Sequence, residues 1–361
     1  MKIITVAGAR PNFMKIAPFM EATEKDGSIT NILVHTGQHH DKNMSESFFE
    51  ELGIPRPNYN LEISGGSHAQ QTAKTMIAFE EVLDRERPEL VVVVGDVNST
   101  LACALTAKKK HIKVAHIESG LRSRDELMPE EINRVLTDRI SDYLLVSEES
   151  GVKNLEKEGY PHNRIHYVGN IMIDTLKKNL PAIQKEKSHK KYGLEEKQYG
   201  VVTIHRPSNV DAKEKLQAIL HILEHAQDTN KLIWPLHPRT RNNLKKFELY
   251  NELKKLKKIT IIEPASYYEF NSLVYFSKFI LTDSGGIQEE TSFMGIPCVT
   301  LRENTERPST VDLGTNTIAG LDEEKVFSAL RQIKEGTYKK GSVPKFWDGK
   351  TANRIVEIIT P

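Results

Sequence analysis

Several carboxylates, cations and glycines in this chain stand directly behind apolar runs, where they could do chemistry. Asp96 follows Leu90–Val94 through Gly95, and Glu118 follows Val114–Ile117 in the string His116-Ile117-Glu118-Ser119-Gly120-Leu121-Arg122. Further on, Pro129-Glu130-Glu131-Ile132-Asn133-Arg134 opens a helix pattern. Its Pro suits the first turn and its early carboxylates suit the positive end of the helix dipole. Glu130 and Arg134 are four apart and share a face. Carboxylates grouped this way suit proton transfer, one taking a proton and another giving one. Any single one is equally an ordinary cap or ion-pair partner, and Glu131 is read in that way.

A second set of residues suits anions. Gly8-Ala9-Arg10-Pro11 precedes a helix carrying Lys15, which puts two cations near a helix N-terminus that itself attracts negative charge. The alternative is an Arg and a Lys on the surface with no ligand. The turn lacks GxGxxG, so a dinucleotide fingerprint is not expected. His205-Arg206-Pro207 follows Val201–Ile204, and His237-Pro238-Arg239 follows Leu232–Leu236, each His lying beside an Arg. HExxH or paired Cys/His spacing is missing, so neither a metal nor a cofactor is expected. His39, His40 and His116 read as loop and packing residues, and Gln38 is ambiguous.

Most specific is the string from Leu281 to Glu290, LTDSGGIQEE. Ser284, Gly285 and Gly286 stand where a strand runs into a helix, and their small side chains let backbone N–H groups approach a diphosphate. Glu290, one turn into that helix, could accept hydrogen bonds from both hydroxyls of a ribose. Asn304-Thr305-Glu306-Arg307-Pro308 follows the run Cys298–Leu301 and offers a further cation.

The elements that must position these residues alternate between short β-rich runs and longer segments of 3.6-residue period. Ile3–Val6, Ile32–Thr36, Leu90–Val94, Val114–Ile117, Tyr143–Val146 and Ile165–Val168 form one series of strands. Tyr199–Ile204, Leu232–Trp234, Thr260–Ile262, Phe279–Leu281 and Cys298–Thr300 form a second. Alternation of this kind predicts α/β architecture with helices on both faces of parallel sheets, here as two doubly wound Rossmann-like domains, 1–169 and 170–348. Residues 349–361 are expected to form a helix returning to the first domain. At about 150 residues per domain, 361 residues agree with two. Fifty Lys and Arg against 49 Asp and Glu leave a formal charge of +1, so nothing global attracts nucleic acid or an anionic membrane. The apolar runs fall far short of the ~20 residues of a membrane span, and the first residues start a strand without a secretory signal, so a cytoplasmic location is expected. Cys103 and Cys298 read as buried small hydrophobes.

Taken in order, GARP with Lys15, Gly95-Asp96, HIESGLR, PEEINR, Val168-Gly169-Asn170, His205-Arg206, His237-Pro238, TDSGGIQEE and NTERP resemble the non-hydrolysing UDP-N-acetylglucosamine 2-epimerases along essentially the whole chain. The resemblance implies the GT-B fold, two Rossmann-like domains facing a central cleft, and a homodimer whose ligand is a UDP-sugar. It implies that Arg10, Lys15, His205, Ser284, Gly285, Gly286, Glu290 and Arg307 contact the UDP portion. Asp96, Glu118 and Glu130 would be the catalytic carboxylates, with Arg134 beside them and His205 also needed for turnover. Two departures stand out: GARPN differs around the Arg-Pro, and the insert His40–Ser45 is longer than in the bacterial cell-wall enzymes, which bears on their allosteric site. A related loop occurs in relatives acting on UDP-2,3-diacetamido-glucuronic acid, so the reaction class is read more firmly than the sugar.

The chemistry fits the residue types. Carbon 2 of the sugar is not next to a carbonyl, so its proton is weakly acidic and departure of UDP must assist. Elimination develops positive charge at the anomeric carbon and negative charge on the diphosphate, which carboxylates and cations respectively stabilise. Re-addition of UDP to 2-acetamidoglucal after protonation on the opposite face gives the epimer. A GT-B glycosyltransferase or a nucleotide-sugar sensor would share the nucleotide half but has no need of the three carboxylates.

Overall fold

The computed structural model describes residues 1–37 and 53–360, with the Arg10 side chain excepted; the readings placed on Gln38, His39, His40 and the insert to Ser45 lie outside the described residues. The chain divides into two units, Met1–Lys178 with Lys345–Pro361, and Asn179–Pro344. This differs from the expected boundaries at 169/170 and 348/349. One helix, Ile171–Glu186, runs through the first divide without a break. The return begins earlier because Trp347 is buried and its indole N–H donates to Ser147 O at 3.1 Å, fixing that segment to the first unit.

In the first unit the strands are β1 (Lys2–Ala7), β2 (Thr30–His35), β3 (Tyr59–Asn60), β4 (Leu90–Val94), β5 (Lys113–Ser119), β6 (Tyr143–Val146) and β7 (Ile165–Tyr167). They lie in the order β3-β2-β1-β4-β5-β6-β7, every described pair parallel. β4 is wholly apolar, LVVVV, and buried throughout, as a strand covered by helices on both faces must be. The C-terminal helix Thr351–Ile359 packs on the helix Arg10–Asp26, and Asp174 Oδ2 caps it by accepting the Ala352 N–H at 2.8 Å.

The second unit holds β8 (Tyr199–Thr203), β9 (Lys231–Pro235), β10 (Ile259–Ile262), β11 (Phe279–Thr282), β12 (Cys298–Thr300) and β13 (Asn316–Ile318), again parallel, in the order β10-β9-β8-β11-β12-β13. Both units are doubly wound α/β structures. β3 and β13 have no counterpart in the pattern reading, because Tyr59–Asn60 is two residues long and β13 opens on Asn316, which is buried through hydrogen bonds rather than apolarity. Both cysteines are free and buried. No helix among the described residues is long and apolar enough to cross a membrane.

In each sheet the strand order reverses at one point, between β1 and β4 and between β8 and β11. Open α/β sheets bind ligands at such points, beyond the carboxyl ends of the strands. The polar strand-end residues therefore collect at the positions the topology makes available.

Candidate active site

At the first reversal point the turn after β1 is locked to β4 by one side chain. Asn12 Oδ1 accepts the N–H groups of Gly8 and Ala9 at 3.2 and 2.9 Å, while its Nδ2 donates to Val94 O at 3.1 Å. Gly8 faces the helix Asn98–Lys109 so closely that a Cβ there would lie 1.9 Å from Ser99 Oγ. Gly95 turns the chain at φ 70°, and behind it Asp96 is held from the helix Pro129–Ile140: Asn133 Nδ2 donates to Asp96 O at 2.9 Å and Arg134 pairs with the Asp96 carboxylate.

Glu118 reaches the same edge by an irregularity. The β5–β6 register shifts between Ile117 and Ser119, and Glu118 takes a left-handed φ of 75°, which re-aims its side chain. The carboxylate is 8% exposed and pairs with Lys15 Nζ. A Cβ on Gly95 would stand 3.4 Å from Glu118 Oε2 and 3.5 Å from Lys15 Nζ, so three elements converge here.

Glu130 sits at the start of its helix, half-buried, and forms no hydrogen bond or ion pair among the described residues. Although Glu130 and Arg134 are four apart, Arg134 pairs with the residue three before it: Arg134 Nη1 meets Glu131 Oε2 at 2.6 Å. Glu131 also accepts the backbone N–H groups of Ser123 and Arg124, each at 2.9 Å. Burial raises its pKa, but those hydrogen bonds and Arg134 outweigh it and hold the carboxyl below the usual Glu range. Glu131 is structural, as read. The helix is amphipathic in reverse: Glu131, Arg134 and Asp138 are buried while Ile132, Val135 and Leu136 are exposed.

In the second unit His237, His205, the 283–290 segment and the 302–307 loop follow four adjacent strands, β9, β8, β11 and β12. Asp283, fully buried, accepts the backbone N–H groups of His205 at 3.0 Å and Arg206 at 2.8 Å and so fixes the turn after β8. The His205 and His237 rings lie 5.3 Å apart. Burial lowers the pKa of His205, with Asp283 opposing and His237 and Arg206 reinforcing; burial and then Arg239 lower that of His237. Both are therefore neutral near pH 7.

Ser284 precedes the helix Gly285–Met294, and its own side chain does not cap it. A Cβ on Gly285 would lie 2.9 Å from Arg307 Nη1, whereas one on Gly286 would meet nothing within 4 Å. The backbone at Gly286 is thus open to a ligand. Arg307 is flanked by Glu289 at 2.7 Å and Glu306 at 2.5 Å. Glu290, 3% exposed, forms no hydrogen bond or ion pair among the described residues, and burial, with Glu289 adding, pushes its pKa up to about 8.

Of the residues expected at a site, the first unit brings together Lys15, Asp96, Glu118 and Arg134, with Glu130 on the same helix as Arg134. The second brings together His205, His237, Ser284, Gly285, Gly286, Glu290 and Arg307 along one sheet edge. The Arg10 side chain lies outside the described structure. Sequence reasoning missed Asn12, Asn133 and Asp283 as positioning groups, and read His116 as packing although both its ring nitrogens are hydrogen-bonded. The legible signal for Asp138 was its place on the face that also carries Glu131 and Arg134.

Residues 21–360 match the sequence profile described as UDP-N-acetylglucosamine 2-epimerase. The chain belongs to that family. It is 45% identical to the UDP-N-acetylglucosamine 2-epimerase of Methanocaldococcus jannaschii, over 100% of this chain and 99% of the relative. The UDP-2,3-diacetamido-2,3-dideoxy-D-glucuronate 2-epimerase of Pseudomonas aeruginosa is 39% identical, with 99% of each chain covered. A crystal structure of the M. jannaschii enzyme in complex with UDP-GlcNAc and UDP superposes with a TM-score of 0.91 at 44% identity, covering 99% of both chains. Fold and family are thereby settled for this epimerase-family chain.

Proposed function

We propose that this chain inverts carbon 2 of a UDP-N-acetylhexosamine, interconverting UDP-GlcNAc and UDP-ManNAc by elimination of UDP and its re-addition to enzyme-held 2-acetamidoglucal. The observation that carries the reading is the convergence of Asp96 and Glu118 on one sheet edge, each paired with a cation, in a chain that matches this family over residues 21–360. One carboxylate removes the carbon 2 proton and another returns one to the opposite face. Lys15 and Arg134 hold Glu118 and Asp96 in place. In the second unit, the neutral His205 and His237, the Gly285–Gly286 backbone and Arg307 take the diphosphate and stabilise it as it leaves. Glu290 takes the ribose hydroxyls.

Incubation with UDP-GlcNAc and no acceptor, followed by NMR, tests this reading. A new manno-configured anomeric signal is expected, and unchanged substrate would overturn it. The Pseudomonas relative favours a second reading, UDP-2,3-diacetamido-glucuronic acid as substrate; conversion of that sugar nucleotide alone, and not of UDP-GlcNAc, would select it. The enzyme is proposed to work in the cytoplasm as a homodimer. The exposed Ile132, Val135 and Leu136 beside Arg134 support the dimer, since a solitary chain gains nothing by displaying them.

A further inference from the structure

We infer that His116, oriented by Asp138, is a positioning residue for Asp96; the inference rests on the epimerase reading above. His116 lies in β5 with no exposed surface. Its Nε2–H donates to Gly95 O at 2.8 Å, the carbonyl joined directly to the Asp96 nitrogen, and its Nδ1 meets Asp138 Oδ1 at 2.7 Å. Both ring nitrogens are thus engaged and the ring cannot turn without losing a hydrogen bond. Asp138 is fully buried and takes two further donors on Oδ2, the Gly120 N–H at 3.0 Å and Arg122 Nη1 at 2.7 Å. Arg122 in turn forms a bidentate pair with Glu158 at 2.9 and 2.7 Å. Asp138 and Arg122 thus compensate one another's charge, which is the condition for keeping both buried, and Glu158 closes the network at the surface.

The position of this network gives it a use beyond stability. Gly95 is left-handed at φ 70°, and its N–H donates to Ile117 O at 3.1 Å. The His116 bond grips the other side of the same residue. Asp96 therefore leaves β4 from a glycine held on both sides by β5, and the carboxylate direction follows from that peptide. Removing the His116 donor frees a residue that only a glycine conformation allows to turn there. A displacement of about 1 Å in a catalytic group can cost ~100-fold in rate.

The test measures kcat, KM and UDP affinity for His116→Gln and Asp138→Asn, alone and combined with Asp96→Asn, with circular dichroism to establish folding. Each single variant should lose ~10- to ~100-fold in kcat while KM and UDP affinity stay within ~3-fold. In the Asp96→Asn background the further loss should be under ~3-fold, because the group being positioned is already gone. A kcat within ~2-fold of the parent, or losses that multiply in the Asp96→Asn background, would overturn the inference. If His116→Gln does not fold, Asp138→Asn decides by the same two readings. An unsubstituted enzyme that does not epimerise would overturn the functional reading instead.

Discussion

The sheet edge of the first unit and that of the second solve opposite problems. At the first, the charges other than Glu130 face partners: Glu118 meets Lys15, Asp96 meets Arg134, and Arg134 meets Glu131. At the second, Arg307 lies between Glu289 and Glu306, but Glu290 is buried with no ion partner among the described residues, Gly286 faces open space, and two neutral imidazoles stand side by side. Charge-matched groups are preorganised and have little left to gain from a ligand. Buried, unmatched groups hold interactions that only a ligand completes. Under the proposed function, the difference fits chemistry at the first edge and binding at the second.

The largest effects should come from the first edge. Asp96→Asn, Glu118→Gln and Glu130→Gln should each lower turnover by at least ~100-fold while UDP affinity, measured by calorimetry, changes only a few-fold. Equal loss of UDP binding in all three would erase the contrast. At the second edge, replacing His205 or Glu290, and in the first turn Arg10, should weaken UDP binding by ~10-fold or more, because a charged or shared hydrogen bond is lost. Unchanged affinity in all three would remove the binding role.

The raised pKa of Glu290 sharpens the comparison through pH. A carboxyl that holds its proton more tightly when folded favours the folded state at low pH, and this advantage is lost as pH rises from the usual Glu range to about 8. Ribose hydroxyls donate best to the ionised form, so UDP affinity should increase as pH passes about 8, and Glu290→Gln should remove that increase. A pH-independent difference between the parent and Glu290→Gln would contradict it.

Two glycines give the smallest and cleanest contrast. Gly8→Ala drives a methyl group against Ser99 Oγ and should cost ~1–3 kcal/mol of stability, partly restored by Ser99→Ala. Gly286→Ala meets nothing within 4 Å and should leave the melting temperature within about 2 °C while weakening UDP binding. Reversal of those two outcomes would place the tight packing and the open cradle on the wrong edges.

The doubly wound fold was legible because buried parallel strands are short apolar runs, and LVVVV or FILT leave little ambiguity. The strand-to-helix turn at Ser284–Gly286 was legible because a glycine pair stands between an apolar run and a helical pattern. What escaped depended on tertiary partners. Arg134 chose Glu131 over Glu130 because a side chain at i+3 points at the same buried edge as Asp96. His116 escaped because spacing cannot tell a packed imidazole from one bonded at both nitrogens. Asp283 was quoted within its motif, yet its role in pinning His205 and Arg206 arises only when β8 and β11 lie side by side. The boundary at 169/170 was misplaced because a glycine after a strand resembles a linker even when a continuous helix follows.

Solvent labelling tests the central claim most directly. If carboxylates at the first edge remove and return the carbon 2 proton, the epimer formed in deuterium oxide carries deuterium at carbon 2, and free UDP accumulates slowly as glycal escapes. Product that keeps its original hydrogen at carbon 2 would contradict the elimination mechanism even where epimerisation is observed.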